Sequence, residues 1–405
     1  MPEFELTPAS VRLISTAAQR LLQPLGRPAV KEDVFETIRA LGALQIDTIH
    51  IVARSPYLAL FSRLGAYPLA WLDELLVEGR IFEFWAHAAC FLPAEDYPIH
   101  RRVMLDGRGT WFSEEWREQN AAAVNAVIEH VRANGPTRSV DFERSDGKKG
   151  SWWDWKVEKK ALEYWFGKGE LMVARRVNFQ RVYDLRGRIR PDWDDSRALS
   201  TDQAGREMVL KTAYALGAAR LGWIADYYRL ARQDVRRWVG ELSAEGRLMT
   251  AAVAGWDDPV YIHPARRGLL EDAAEGRLRA ERTTLLSPFD SLIWHRQRMN
   301  ELFGFEFTIE CYLPAAKRKY GYFLLPILRR GELIGRLDAK AHRKERIFEV
   351  IALYLEPNVR VDEQLAADLA AALRECAEWH GTPEVLLRRC EPQSLLTLLN
   401  TAGRD

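Results

Sequence analysis

The chain has 405 residues and a formal net charge of +1, with 47% hydrophobic and 28% charged residues. That composition is typical of an ordered globular protein, and the length exceeds what one hydrophobic core usually serves. No stretch approaches the ~20 consecutive apolar residues of a membrane span, and the N-terminus lacks the pattern of a signal peptide. We therefore expect a multidomain cytoplasmic protein without a membrane partner.

A net charge near zero argues against a nucleic-acid partner unless the basic residues are clustered. Two segments are strongly basic: residues 311–346 contain ten Lys or Arg against three acidic residues, and residues 170–190 contain six Arg against two. Basic faces are therefore predicted, although solvated surfaces balanced by acids elsewhere explain the counts equally well.

The first candidate for chemistry lies at Gln45 and Asp47, two residues apart among Leu44, Ile46 and Ile49. If this stretch is extended, both polar side chains point to the same face. The carboxylate could then stabilise positive charge or activate water, and the amide could orient that water. Spacing alone favours another interpretation, in which Asp47 caps the following helix and Gln45 bonds the backbone.

Three later segments share one order: an amphipathic helix, a glycine in the left-handed conformation, and two short strands joined by a turn. The glycines are Gly79, Gly169 and Gly246. The predicted strand pairs are 81–85 with 89–92, 171–175 with 181–185, and 248–253 with 260–263. Short helices at 139–142 and 222–228 precede the second and third copies. The repeat predicts three tandem winged-helix (helix-turn-helix) units, with protein–protein spacers as the alternative.

Beyond residue 280 the pattern changes to strands at 306–311, 322–328, 333–337 and 347–354, followed by a helix at 363–379. The predicted fold is therefore α+β: winged helices at 1–105, 106–195 and 196–280, and a β-rich module at 281–405. His50, Glu83 and His87 are candidate pocket residues. Asp338 and His342 could equally form a salt-linked sheet edge.

Motifs for several other functions are absent. The four cysteines are widely spaced and lack histidines at metal-ligand spacing, so no metal is expected. A phosphate-binding glycine loop, a nucleophile elbow and a zinc-deaminase pattern are also missing, and no cofactor is expected.

Several runs together resemble one family, the winged-helix DNA glycosylases of bacteria that unhook interstrand crosslinks, known as AlkZ-like and YcaQ-like proteins. The runs lie at 44–49, 52–58, 61–65, 85–87, 90–93, 178–184, 191–195, 287–290, 317–323 and 335–340. Two positions depart from the family's pattern: His50 replaces an asparagine and His295 an aspartate. These departures bear on substrate range and leave the motif intact.

The resemblance implies a concave basic surface around duplex DNA and a catalytic Gln-apolar-Asp motif, here Gln45, Ile46 and Asp47. The carboxylate places the chain nearer the YcaQ-like branch. Together with the basic segments, it predicts that DNA is contacted by Arg54, Arg63, Arg175, Arg176, Arg181, Lys317, Arg318, Lys319, Arg336 and Lys340.

The expected activity is that of a monofunctional DNA glycosylase, because the motif contains no lysine for Schiff-base chemistry. Its expected partner is double-stranded DNA carrying N7-alkylated or crosslinked guanine, bound by a monomer at the bacterial nucleoid. Two alternatives stay open: a non-enzymatic winged-helix transcription regulator, and a scaffold in a larger repair complex.

Overall fold

The chain adopts a mixed α/β fold, and a computed structural model describes residues 4–142 and 155–402. The α-helices of these residues are α1 (Pro8–Ala18), α2 (Lys31–Leu41), α3 (Ser55–Leu64), α4 (Ala70–Val77), α5 (Tyr97–Leu105), α6 (Glu114–Gln119), α7 (Ala121–Asn134), α8 (Val157–Gly167), α9 (Arg186–Ile189), α10 (Thr201–Leu216), α11 (Leu221–Tyr227), α12 (Arg232–Ala244), α13 (Arg267–Ala274), α14 (Arg296–Phe303), α15 (Glu363–Trp379) and α16 (Gln393–Ala402). Within the described ranges, none is both long and apolar enough to cross a bilayer.

The strands of the same residues are two to eleven residues long. They are β1 (Phe4–Leu6), β2 (Leu44–Gln45), β3 (Ile81–Trp85), β4 (Ala89–Pro93), β5 (Thr137–Arg138), β6 (Leu171–Val177), β7 (Gln180–Leu185), β8 (Met249–Val253), β9 (Val260–Ile262), β10 (Thr283–Leu285), β11 (Leu324–Arg329), β12 (Glu332–His342), β13 (Ile347–Leu355), β14 (Glu384–Leu387) and β15 (Cys390–Glu391). The chain forms two compact units, one of residues 1–69 with 209–405 and one of residues 70–208. The four domain boundaries proposed from the sequence stay predictions.

The helix, glycine and strand order is confirmed in all three predicted segments. Gly79, Gly169 and Gly246 follow α4, α8 and α12, with φ values of 68°, 71° and 72°. Each helix ends in the same pair of backbone bonds. In the first copy the Gly79 N–H donates to Leu76 at 3.1 Å and the Arg80 N–H donates to Leu75 at 3.0 Å. This Schellman ending needs a left-handed residue, which explains why glycine marks all three turns.

The strand pair after each glycine is antiparallel, as predicted. β3 pairs β4, β6 pairs β7 and β8 pairs β9. The helix expected at 139–142 is a short 3₁₀ turn, Ser139–Asp141, whereas the one expected at 222–228 is α11. Some pairings were not predicted: β1 runs parallel to β8, so residues 4–6 join the sheet of the third copy, and β5 pairs β7 in the second.

The C-terminal β-rich part forms one sheet from β10 to β15. Its order runs β10-β11-β12-β13-β14, with β15 also paired to β13. The first four strands are antiparallel, whereas β14 and β15 run parallel to β13 because α15 intervenes. The predicted helix at 363–379 is confirmed as α15. The strand predicted at 306–311 is wrong, because this stretch is irregular: Phe305 and Phe307 are buried in a hydrophobic cluster, but no ladder forms.

Candidate active site

The Gln-apolar-Asp motif lies at the end of β2, on an extended stretch ahead of α3. Leu44 and Ile46 are buried, with 2% and 8% of their surfaces exposed, whereas Gln45 and Asp47 are half-buried. Alternation of this kind anchors the segment through its apolar side chains. Gln45 and Asp47 are therefore the polar groups that the segment leaves partly open to solvent.

Asp47 is held by two hydrogen bonds. Its Oδ1 accepts the backbone N–H of Ile49 at 2.8 Å, and the Tyr312 hydroxyl donates to its Oδ2 at 3.3 Å. Burial raises the pKa of Asp47, and the two hydrogen bonds oppose that rise without cancelling it. The idea that Asp47 caps the next helix is wrong, since α3 begins at Ser55 with Arg54 in the cap position. The carboxylate is thus fixed in direction and more basic than an ordinary aspartate.

Tyr312 comes from a loop in the C-terminal part of the same compact unit. Its side chain is 68% exposed, so the ring faces solvent while its hydroxyl reaches Asp47. Buried Glu310 fixes this loop by accepting the backbone N–H groups of Tyr320 at 2.9 Å and Gly321 at 3.1 Å. No local sequence pattern points to Tyr312, because 265 residues separate it from Asp47.

A thiol lies next to the same carboxylate. Burial and the charge of Asp47 raise the pKa of Cys311 to about 11, so the group is protonated at neutral pH. Only the thiolate is strongly nucleophilic, and Cys311 is therefore a poor candidate for covalent chemistry.

A second buried carboxylate, Asp338, fixes the far end of the loop. Its Oδ1 accepts the Phe323 N–H at 3.0 Å, and burial raises its pKa. Gly321 lies so close that a Cβ there would be 2.2 Å from the Asp338 Oδ2. Because only glycine allows this approach, Asp338 acts as an anchor for the loop that carries Tyr312.

His50 packs against the tip of the β12–β13 hairpin. The Arg343 guanidinium lies 2.9 Å from the His50 Nε2 and also donates to the Val52 carbonyl, while the Ala341 N–H donates to Ile51 at 2.9 Å. Burial, Arg343 and Arg54 lower the pKa of His50 to about 4. His50 is therefore a neutral imidazole at physiological pH. The sequence analysis did not single out Arg343, although it belongs to the basic segment counted there.

Two predicted DNA contacts are wrong because their guanidinium groups are buried in ion pairs. Arg63 is 2% exposed and binds Asp290 through two bonds of 2.7 and 2.9 Å. Arg336 is 4% exposed and donates to Glu356 at 2.5 Å and to the Glu306 carbonyl at 2.7 Å. Neither cation is available to a phosphate group.

The predicted DNA contacts Arg176 on β6 and Arg181 on β7 are wrong for the same reason, and so is the placing of Glu83 in a pocket. Glu83 is 2% exposed; Arg176 donates to it at 2.7 Å, and Arg181 bonds both Glu83 and Glu163, the latter at 2.9 Å. Burial disfavours the charged form of Glu83, but the two arginines outweigh it and lower the pKa. The four side chains form a structural network inside the 70–208 unit.

The other predicted cations keep some exposure. Arg175, Lys317, Lys319 and Lys340 are exposed, whereas Arg54 and Arg318 are half-buried. Arg318 donates to the Leu313 carbonyl at 2.9 Å and lies 4.7 Å from the Tyr322 ring, within the Tyr312 loop. His87 is half-buried in the β3–β4 turn. In the part of the chain that the structure describes, no three His, Cys, Asp or Glu side chains cluster as a metal site would require.

Comparison with known proteins identifies the fold and the family. The family described as DNA glycosylase AlkZ-like matches residues 38–379. Among solved structures, the chain is similar to the Streptomyces sahachiroi DNA glycosylase AlkZ, with a TM-score of 0.62 and 14% identity, over 95% of this chain and 100% of that chain. The structural likeness shows a shared fold, and the family match extends over most of the sequence. The chain therefore belongs to the AlkZ-like family of DNA glycosylases.

Proposed function

We propose that this DNA glycosylase hydrolyses the N-glycosidic bond of N7-alkylated purines, including guanines that take part in interstrand crosslinks. The observation that carries the proposal is the half-buried Asp47 carboxylate, held by the Ile49 N–H and the Tyr312 hydroxyl beside Gln45. Family membership disfavours the rival interpretation as a non-enzymatic regulator.

Alkylation at N7 makes guanine a cationic leaving group, which needs little protonation. When the C1′–N9 bond breaks, its electron pair neutralises the departing base and leaves an oxocarbenium ion on the sugar. Asp47 stabilises that cation by charge, as a carboxylate does in glycoside hydrolysis. A water molecule then adds to C1′ and gives its proton to Asp47, whose raised pKa makes it a better base.

Gln45 is proposed to orient the attacking water through its side-chain amide. The amide can donate to one partner and accept from another, so it suits a water that must be held before it loses a proton. No lysine stands in the motif, and the proposed reaction stops at the abasic site. An open, solvent-facing site also suits a base that is tied to the opposite strand and cannot swing freely into a closed pocket.

Duplex binding is proposed to use the three helix-glycine-strand segments as winged-helix units, acting as a monomer on bacterial DNA. The exposed cations Arg175, Lys317, Lys319 and Lys340 would contact phosphates, together with the half-buried Arg54. Arg343 is added to this set because it lies at the exposed hairpin tip beside His50. These contacts would provide affinity that is independent of sequence.

The proposal is tested with three duplexes that share one sequence: undamaged, carrying a single N7-methylguanine, and carrying an N7-linked interstrand crosslink. We expect heat-labile abasic sites in the two damaged duplexes and none in the undamaged one. Strand breaks without heating would contradict the monofunctional mechanism. If neither damaged duplex acquires abasic sites, the proposed substrate class is wrong.

A further inference from the structure

A cavity of about 400 Å³ lies in the larger unit, among the starts of α11 and α12, the end of the β8–β9 turn and α14. This volume falls in the range of small-molecule sites. Its charged lining residues are Arg220, Arg232, Arg236 and Asp258.

The cavity keeps a net positive charge, because three arginines and one carboxylate, Asp258, line it, and one further carboxylate, Glu301, pairs with Arg220. Arg232 and Arg236 are exposed and lie four residues apart, so they project from one face of α12. Within residues 4–142 and 155–402, neither makes an ion pair. Their guanidinium groups are therefore available to bind an anion from outside the protein.

The third arginine is positioned by the protein itself. Arg220 lies 3.4 Å from Asp258 and 3.2 Å from Glu301, and its guanidinium lies 5.1 Å from the Trp256 ring. These contacts hold the Arg220 cation in place before any ligand binds. They also leave some of the five N–H donors of its guanidinium unused. A guanidinium arranged in this way is suited to phosphate oxygens.

Helix α11 links the cavity to the candidate active site. Its first residues line the cavity, whereas at its other end the Tyr227 hydroxyl donates to the Leu41 carbonyl at 2.6 Å. Leu41 is three residues before Leu44, where the motif strand begins. Seven helical residues are about 10 Å long at 1.5 Å per residue, and a DNA strand has one phosphate per ~3.4 Å of axis. One short helix therefore connects the cavity to the segment that leads into the motif strand.

We propose that this cavity binds a backbone phosphate of the DNA strand, a few nucleotides from the base that is removed. Arg232 and Arg236 neutralise the phosphodiester, and Arg220 fixes its position. The contact sets the register of the strand relative to Gln45 and Asp47. The inference rests on the proposed function only in assuming that this glycosylase acts on bound duplex, and it does not depend on the role of Asp47.

The test compares the double variant Arg232→Gln with Arg236→Gln against the matched control Arg237→Gln on the same helix. Arg237 lies next to Arg236 in sequence, does not line the cavity and pairs with Glu241 at 3.3 Å. Binding of undamaged duplex is measured from 50 to 200 mM salt, so base release plays no part in the readout. Each lost phosphate contact lowers the slope of log K against log salt by about 0.9.

We expect the double variant to lower that slope by about 1 and to bind the duplex about tenfold more weakly at low salt, with Arg237→Gln close to wild type. Equal slopes in the double variant and the control would overturn the proposal. The double variant could instead lose the binding of inorganic phosphate while its salt slope for DNA binding stays at the wild-type value. That result would show a free-phosphate site and would also overturn the proposal. Normal base release by an Asp47 variant would refute the proposed chemistry, but it would not bear on the phosphate contact, which is measured by binding alone.

Discussion

The effect of replacing Arg181 with alanine distinguishes a structural role of this arginine from a role in DNA binding. Arg181 is the link between Glu83 and Glu163, whose side chains are 0% and 8% exposed. Without it, Glu83 keeps Arg176, whereas Glu163 loses its arginine and keeps the Tyr183 hydroxyl, which donates to it at 3.0 Å. Removing one partner of a buried ion pair typically costs about 3–5 kcal/mol. Because Arg176 still compensates one carboxylate, we expect a loss of about 3 kcal/mol.

The matched control is Arg175→Ala on the same strand, since Arg175 is exposed and makes no ion pair within the described residues. Substitutions at exposed positions usually change the free energy of unfolding by less than about 0.5 kcal/mol. Instead, Arg175→Ala should lower the salt slope of duplex binding by about 0.9. Stability is measured by urea unfolding followed by circular dichroism. An Arg181→Ala variant as stable as wild type would refute the burial argument.

The pH dependence of this difference gives a second check. The arginines hold the pKa of Glu83 below its ordinary value, so their stabilisation is present at neutral pH and is lost as acid protonates Glu83. The stability gap between wild type and Arg181→Ala should therefore narrow as the pH falls. A gap that widens in acid would contradict the ion-pair explanation.

Two further predictions concern the candidate active site. Tyr312→Phe removes the hydroxyl that favours the charged form of Asp47, so the pKa of that carboxyl should rise further. The acidic limb of the single-turnover rate should therefore move to higher pH. An unmoved limb would show that Tyr312 does not act on Asp47. Because the pKa of His50 is lowered to about 4, His50 should give the rate no limb between pH 6 and 8, and His50→Gln should keep the wild-type profile there; a limb near pH 6.5 that His50→Gln abolishes would contradict this.

The repeated segments could be predicted from the sequence because their signals are local. A helical period followed by Gly79, Gly169 or Gly246 specifies a Schellman ending, and the apolar runs that follow pair with their nearest neighbours. The same local logic identified α15. Local patterns were also sufficient to single out Gln45 and Asp47, although not to choose between catalysis and helix capping.

The errors came from properties that depend on distant residues. The alternation of Phe305 and Phe307 resembles a strand, yet this stretch has no partner ladder in the described residues and its aromatics fill a core instead. Basic residues were counted as surface charges, but Arg63 is paired with Asp290, which is 227 residues away. Tyr312 reaches Asp47 only through the fold. Composition gives the number of charged residues, but only those that the fold leaves exposed can contact DNA.

We propose that cleavage of the glycosidic bond needs the Asp47 carboxylate and that duplex binding does not. The decisive measurement is single-turnover release of 7-methylguanine from duplex DNA by Asp47→Asn, with enzyme in excess over substrate. The control is Asp192→Asn, whose side chain is 72% exposed in a loop of the 70–208 unit. We predict duplex affinity near wild type for both variants, and a loss of release on the order of 10²–10⁴-fold for Asp47→Asn alone. Release by Asp47→Asn at the wild-type rate would contradict the claim.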